Sequence, residues 1–356
     1  MARKLNVAIV GATGVVGSIM RRLIAKERGN WGEVRLIASA RSAGKQLEVG
    51  DEVLTVQAIG PDVFDGIDIA HFDLPDEVSA EWVPVAAAKG VVVIDKSAYF
   101  RMDPEVPLVC REANPGDAAN RPKGIIANAN CTTLALIPTL AALNEQFGLV
   151  SMSVASYQAA SGSGKEGLEA LYAQLQKVGG AEGVGTAGND LRLVLGEEFN
   201  APFGAPLALN VVPKVGGWRE DGWTSEELKV RNESRKILGL PDLKVASTCV
   251  RVPVAVGHSQ VVHATFEREV TVAEAHRVLA AAEGVDLVDD PENMVFPMPI
   301  DSVGRGGTQV GRIRQSIDFP NSLEFFVVAD NLMKGAALNS IETADLVRRE
   351  LEAAQR

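Results

Sequence analysis

The N-terminal stretch most constrains what this chain can fold into. The β-branched run from Leu5 to Val10 passes directly into Gly11-Ala12-Thr13-Gly14-Val15-Val16-Gly17, and a helical pattern continues through Lys26. The order is strand, glycine turn, helix. In the G-x-x-G-x-x-G spacing the glycines allow a tight turn and close backbone approach, while the following helix N-terminus faces a pyrophosphate. The spacing departs from the commoner G-x-G-x-x-G, and glycines also end strands for steric reasons. Position after the first strand gives the dinucleotide reading its weight. Gly11, Thr13, Gly14, Val15, Val16 and Gly17 are the candidate cofactor contacts of this turn.

A second strand, Val34 to Ile37, ends in Ala38-Ser39-Ala40-Arg41-Ser42, where a dinucleotide fold reads the adenosine ribose. An acid there would bind a 2′-hydroxyl. Arg41 with Ser39 and Ser42 suits a 2′-phosphate instead, which favours NADP over NAD. Strand-like runs recur at Val53 to Ala58, Ile67 to Phe72 and Val91 to Asp95, with a helical Val78 to Lys89 before the last. This alternation predicts a mostly parallel sheet flanked by helices. Lys96 to Pro115 breaks the pattern as a long loop rich in proline and charge, with Arg101 a candidate anion ligand.

The next strand-to-helix junction holds a cysteine that is either a small buried hydrophobe or a candidate nucleophile. Gly124 to Ala127 has the size of a buried strand, Leu134 to Leu143 has helix-forming composition, and Asn130-Cys131-Thr132-Thr133 lies between them. Backbone N–H groups and the positive end of a helix dipole favour an anion at that place, hence a nucleophilic thiolate. Beyond it, Val150 to Gln158 alternates as a strand and runs into the glycine-rich turn Ala159 to Lys165, again before a helix. Residues 179–188 read as a flexible loop. A helix from Ser225 to Leu238 places Glu226 and Lys229 on one face. Lys244 to Val254 and Gln260 to Glu267 read as strands joined by a glycine turn that carries His258, seven residues after Arg251. Strands at Gly311 to Phe319 and Leu323 to Ala329 precede a last helix, Asn331 to Ala354. The second half is thus richer in antiparallel strands, an α+β layer contributing side chains to the cofactor domain's crevice.

Composition narrows the function classes. At 356 residues with 46% hydrophobic content the chain has material for two domains with sizeable cores. Its 46 acidic residues outnumber 35 basic ones, and a formal charge of -11 argues against nucleic acid as a whole-surface partner. No apolar run reaches the roughly 18 residues of a membrane span, and Met1 to Lys4 leads into a strand rather than a signal-peptide core. A cytoplasmic location is expected. The three cysteines form no CxxC pair and the four histidines lack metal-ligand spacing, so neither disulfide nor metal is expected.

Taken together, the dispersed motifs resemble the aspartate-β-semialdehyde dehydrogenase family over nearly the full length. They are the Gly11 to Gly17 turn, Asn130-Cys131-Thr132-Thr133, Ser156-Tyr157-Gln158-Ala159, Glu226-Glu227-Leu228-Lys229, Arg251-Val252-Pro253-Val254, Gly257-His258-Ser259 and Asp330 to Ala337. Their joint order and spacing carry the resemblance. It implies a Rossmann-like NADP-binding domain over residues 1–130, completed by a C-terminal helix within 331–356, and a catalytic and dimerisation domain over 131–330. It implies reduction of L-β-aspartyl phosphate by NADPH to L-aspartate 4-semialdehyde with release of phosphate, on the route to lysine, methionine, threonine and isoleucine. A homodimer is also implied. Carried over by position, Cys131 is the nucleophile, His258 its general acid/base, and Gln158 orients the acyl intermediate. Arg251 and Glu226 address the substrate's α-carboxylate and α-ammonium; Arg101, Asn130 and Lys229 address the phosphate. Further cofactor contacts fall on the turn containing Ser161 and Gly162 and on Asn331.

The chemistry suits these residue types. A thiolate displaces phosphate from an acyl phosphate, and the resulting thioester accepts hydride where a carboxylate does not. A histidine titrating near neutrality assists thiol deprotonation and then protonates the oxyanion. Several positions depart from the family pattern. Asp73 and Asp76 stand where a small-residue turn is usual, near the cofactor path, while Lys96 and Tyr99 replace Asn and Ser. Ala129 replaces a proline, Thr132 a serine, and Gln260 an acid. The competing readings are an N-acetyl-γ-glutamyl-phosphate reductase-like enzyme, which Glu226 opposes because its substrate lacks a free amine, and a non-catalytic dinucleotide-binding redox regulator.

Overall fold

The computed structural model describes residues 3–355. They cluster into two compact units. The first runs to Asn130 and takes in Lys236–Leu240 and the chain from Met333 onward; the second comprises Cys131–Arg235 and Pro241–Leu332.

The first unit is built on strands β1 Val7–Val10, β2 Val34–Ala38, β5 Gln57–Ala58, β6 Ile69–Phe72, β7 Val92–Asp95, β8 Leu108–Val109 and β9 Ile125–Asn128. They form one sheet in the order β5-β2-β1-β6-β7-β9-β8 with every pairing parallel. All four residues of β1 are buried, as are those of β6 and β7, because a sheet covered on both faces has no solvent side to mark by alternation. The order in which strands are added reverses at β1, which has β2 on one flank and β6 on the other. Ligands of open α/β sheets bind beyond the carboxyl ends at such a switch point. Gly11, Ser39, Asp73 and Lys96 all stand immediately past those ends.

Two sequence expectations change here. The single strand expected over Val53 to Ala58 is divided. β4, Glu52–Thr55, folds back antiparallel on β3, Gln46–Val49, while β5 joins the main sheet beside β2. The left-handed backbone at Gly50 (φ 63°) permits the reversal. The helix expected from Asn331 instead opens as a π-helical turn, Met333–Leu338, before regular α-helix Asn339–Ala354. Lys334 on that turn is fully buried and ion-paired with Glu112, whose other carboxylate oxygen accepts the Cys110 thiol proton at 3.4 Å. Burial by itself depresses Lys334, yet the facing Glu112 charge holds it above the ordinary lysine range. Removing one member of such a pair typically costs about 3–5 kcal/mol. Asn339 adds a second tie, donating to the carbonyl of Val109 at 2.9 Å and to Asn128 Oδ1 at 2.6 Å.

The second unit carries a mixed sheet of β10 Leu149–Gln158, β11 Lys244–Arg251, β12 His258–Phe266, β13 Val285–Leu287, β14 Thr308–Gln315 and β15 Ser322–Ala329, in the order β11-β10-β12-β15-β14-β13. The β11 and β13 pairings are parallel and the rest antiparallel. Along β10, Met152, Val154, Ser156 and Gln158 turn inward while Ser153 and Tyr157 face out, the alternation a one-sided sheet requires. The helix Cys131–Phe147 packs on the inner face. Its first residue is the cysteine itself, three positions before the helix start read from composition. Among the described residues no helix is long and apolar enough to cross a membrane.

His71, on β6, is fully buried with Nδ1 2.8 Å from Ser340 Oγ, and burial pushes it down to about 4. A solvated histidine in the unfolded chain titrates near 6.5, so between these values the unfolded state holds one more proton. Stability from this group is complete above about pH 6.5 and is lost as pH falls toward 4, by roughly 3 kcal/mol in all. Urea midpoints at pH 7.5 and pH 5 will fall further in the parent than in His71→Leu; equal falls would contradict this account.

Candidate functional site

Cys131 opens its helix with Sγ 3.4 Å from Nε2 of His258. His258 is not in the connecting turn, as read from sequence, but is the first residue of β12, paired with Ala329. The backbone N–H of Ala159 donates to its Nδ1 at 3.1 Å. A backbone amide can only donate, so Nδ1 is an acceptor and the proton of the neutral ring stands on Nε2, facing sulfur. Burial, then the nearby Arg251 charge, pushes His258 down to about 3. The near-neutral histidine expected from sequence is replaced by a neutral N–H donor. Cys110 and Cys249 are buried and pushed up to about 12, which leaves Cys131, half-buried at a helix start, as the accessible thiol of the three.

Two turns hold the histidine. Gly257, with φ 103°, donates its N–H to Asn331 Oδ1 at 3.0 Å, and the same side chain donates from Nδ2 to Ser161 Oγ at 3.0 Å. At Gly162 a side chain has no room: a Cβ would stand 2.6 Å from Arg251 Nη1 and 3.1 Å from His258 Cε1. Ser161, Gly162 and Asn331 therefore brace the histidine, whatever else they touch.

Behind the thiol lies a buried polar network. Gln158 Nε2 donates to Thr132 Oγ1 at 2.5 Å and to Glu226 Oε1 at 3.2 Å, and Thr132 Oγ1 donates to the same carboxylate oxygen at 3.1 Å. The helix Ser225–Leu238 was expected with Glu226 and Lys229 on one face, and Lys229 Nζ lies 3.4 Å from Glu226 Oε2. Glu226 is only 6% exposed, so this is no solvated surface pair. Arg251, also 6% exposed, donates from Nη1 to the carbonyl of Ala159 at 2.6 Å and sits over the Phe203 ring. Burial pulls it below the ordinary arginine range, opposed by Glu226. The register Gln158↔Arg251 explains why two residues far apart in sequence meet.

The remaining candidates belong to the first unit. Gly11 has φ 99°, and a Cβ there would strike the Asp73 carbonyl; one on Gly17 would strike the Gly11 carbonyl. Gly14 has its nearest atoms at 3.3 and 3.6 Å, so its exposed face is the space a side chain would fill. That cradle fits a diphosphate, since the helix Val15–Lys26 starts there without a side-chain cap or an acid in its first turn. Thr13 is exposed, Val15 half-buried and Val16 buried; past β2, Ser39 and Arg41 are exposed and Ser42 is buried. Arg101 is buried, donating to the Lys96 carbonyl at 2.5 Å, and Asn130 is buried two residues beyond β9.

Three contributors have no role assigned from the sequence, although two of them, Thr132 and Gln260, stand out there as departures from the family pattern. Thr132 Oγ1 links Gln158 to Glu226, and Gln260 Nε2 donates to the Thr132 carbonyl at 2.9 Å. Strand alternation places Gln260 on the His258 face, a signal that was available. Lys236 Nζ lies 2.8 Å from each of the carbonyls of Arg101, Asp103 and Val106 and so fixes the loop that carries Arg101. A lysine near a helix end gives no such signal.

With this geometry in place, comparison with known proteins is specific. Residues 6–121 match the family model described as semialdehyde dehydrogenase, NAD binding domain, and residues 140–334 match that of semialdehyde dehydrogenase, dimerisation domain. The chain is 43% identical to the aspartate-semialdehyde dehydrogenase of Corynebacterium glutamicum, over 96% of this chain and 99% of that one. It is 39% identical to that of Bacillus subtilis, over 98% and 99% respectively. The crystal structure of aspartate semialdehyde dehydrogenase II of Vibrio cholerae complexed with ASA superposes with a TM-score of 0.89 at 33% identity, covering 98% of this chain and 99% of that chain. The chain belongs to the aspartate-semialdehyde dehydrogenase family of oxidoreductases.

Proposed function

We propose that the protein reduces L-β-aspartyl phosphate to L-aspartate 4-semialdehyde with NADPH and releases phosphate, with Cys131 as the acyl-carrying nucleophile. The observation that carries this is Cys131 Sγ at the start of a helix, 3.4 Å from His258 Nε2. The helix N-terminus and the nearby Arg251 charge favour the thiolate, which attacks the acyl carbon; the C–O bond to phosphate breaks and a thioester forms. A nicotinamide bound by the glycine-turn unit supplies the hydride. His258 Nε2–H then hydrogen-bonds the oxygen that becomes negative, and collapse of that thiohemiacetal oxyanion breaks the C–S bond, returns the thiolate and frees the aldehyde.

The substrate's amino-acid end is assigned to the buried pair of charges. Arg251 has guanidinium N–H groups besides the one bound to Ala159 for the α-carboxylate, and Glu226 takes the α-ammonium. Gln158, held against Thr132 and Glu226, orients the acyl group. Arg101, Asn130 and Lys229 are assigned to the phosphate. Ser39, Arg41 and Ser42 are assigned to the adenosine 2′-phosphate; the Gly11 to Gly17 turn, Ser161, Gly162 and Asn331 complete the cofactor contacts. Glu226 favours this substrate over an N-acetylated glutamyl phosphate, which offers no ammonium to a buried carboxylate. We further assign the protein to the cytoplasm as a homodimer joined through the six-stranded sheet, whose outer face exposes Tyr157 and Val261.

With aspartate semialdehyde, phosphate and NADP, Cys131→Ala will lower kcat by more than about 10³-fold while NADPH affinity stays within about twofold. Retained turnover would rule out covalent catalysis, and absence of turnover in the parent would favour a regulator. For the cofactor, kcat/KM will be higher with NADPH than NADH, and Arg41→Ala will erase roughly tenfold of that preference. Equal or better use of NADH by the parent would overturn the role given to Arg41.

A further inference from the structure

Beside the glycine turn stands a carboxylate whose charge would repel a diphosphate bound there. Asp73 follows β6, donates its backbone N–H to the Val10 carbonyl at 2.9 Å, and backs directly onto Gly11. Its Oδ2 lies 3.6 Å from the point where a Cβ on Gly14 would be, so the negative charge borders the space identified as the diphosphate cradle. The residue facing it is Lys96, just past β7, with Nζ 2.9 Å from Asp73 Oδ1. Both side chains are largely covered, at 26% exposure for Lys96 and 16% for Asp73. Screening of this pair by solvent and salt is correspondingly weak. The turn is well fixed: Lys96 donates its backbone N–H to the Phe72 carbonyl at 2.9 Å, and Asp76 accepts the Ala98 N–H at 2.8 Å.

We propose that Asp73 and Lys96 form a charge-compensated wall of the cofactor site, in which Lys96 cancels the repulsion that Asp73 would exert on the bound pyrophosphate and so sets dinucleotide affinity. The inference rests on reading the glycine turn as the dinucleotide site. Lys96 is a positioning and electrostatic residue here, with no part in the chemical step. An uncancelled carboxylate a few ångströms from a diphosphate, in a partly covered site, weakens binding by about tenfold or more.

The test is the dissociation constant of NADPH, followed by quenching or enhancement of nicotinamide fluorescence, for the parent, Lys96→Met, Lys96→Arg and the double variant Lys96→Met/Asp73→Asn, with Tm recorded for each. Lys96→Met should raise Kd about tenfold, Lys96→Arg should bind within about threefold of the parent, and the double variant should return to within about threefold. The proposal is overturned if Lys96→Met binds as the parent does, or if the double variant binds as weakly as Lys96→Met alone. If the parent itself binds neither NADPH nor NADH, the dinucleotide reading of the glycine turn falls, and this inference with it. Should Lys96→Met fail to fold, the single Asp73→Asn decides: a Kd equal to or below the parent's supports compensation, and a weaker one overturns it.

Discussion

One backbone residue sets the character of the reactive centre. Ala159 donates its N–H to His258 Nδ1 and accepts Arg251 Nη1 at its carbonyl. Because Nδ1 is occupied by a donor, an imidazolium would have to give up that hydrogen bond, and deep burial beside a guanidinium opposes it further. The histidine consequently stays neutral with its N–H directed at sulfur. A thiolate–imidazolium pair is thereby disfavoured, and the groups placed to favour a negative sulfur are the helix start at Cys131 and Arg251 instead. An imidazole N–H fixed in this orientation suits the later demand of the proposed reaction, a hydrogen bond to the developing oxyanion.

The network around Thr132 serves the same end by a different means. Gln158, Glu226 and Gln260 place amide and carboxylate groups in a nearly dry interior, where each lost partner carries a full desolvation cost. When members are mutually bonded, such groups specify one arrangement of the elements that bear them. Here those elements are the cysteine helix, β10, β12 and the Glu226 helix. Gly162 and Gly257 complete the constraint, the first by yielding space to Arg251 and His258, the second by a left-handed turn that brings its N–H to Asn331. In the first unit Asn339 with Asn128 binds the last helix to the parallel sheet, and Lys334 with Glu112 ties the preceding π-helical turn to the segment after β8, both through buried polar contacts.

Much of this was legible in the sequence because it is local. The strand, glycine turn and helix at residues 7–26 follow directly from β-branched content and glycine spacing, and the helix Ser225–Leu238 has the bounds read from its pattern. The cysteine at a helix start was legible for the same reason. What escaped depends on partners that no local pattern names. Val53 to Ala58 alternates continuously, yet its two halves pair with different strands once Gly50 reverses the chain. The small residues around Lys334 look like ordinary helix, and nothing local names the buried Glu112 that pairs with the lysine the π-helical turn carries inward. The protonation behaviour of His258 is set by Ala159, Arg251 and complete burial, all tertiary facts.

The central claim is that Cys131 carries the acyl group. Rapid-quench intact-protein mass spectrometry on the parent mixed with β-aspartyl phosphate, with no reduced nicotinamide present, tests it directly. One aspartyl group per chain, labile to hydroxylamine and mapped to the peptide containing Cys131, is the predicted result. Turnover-competent protein that releases phosphate without any adduct, or that carries the acyl group on another residue, would contradict it.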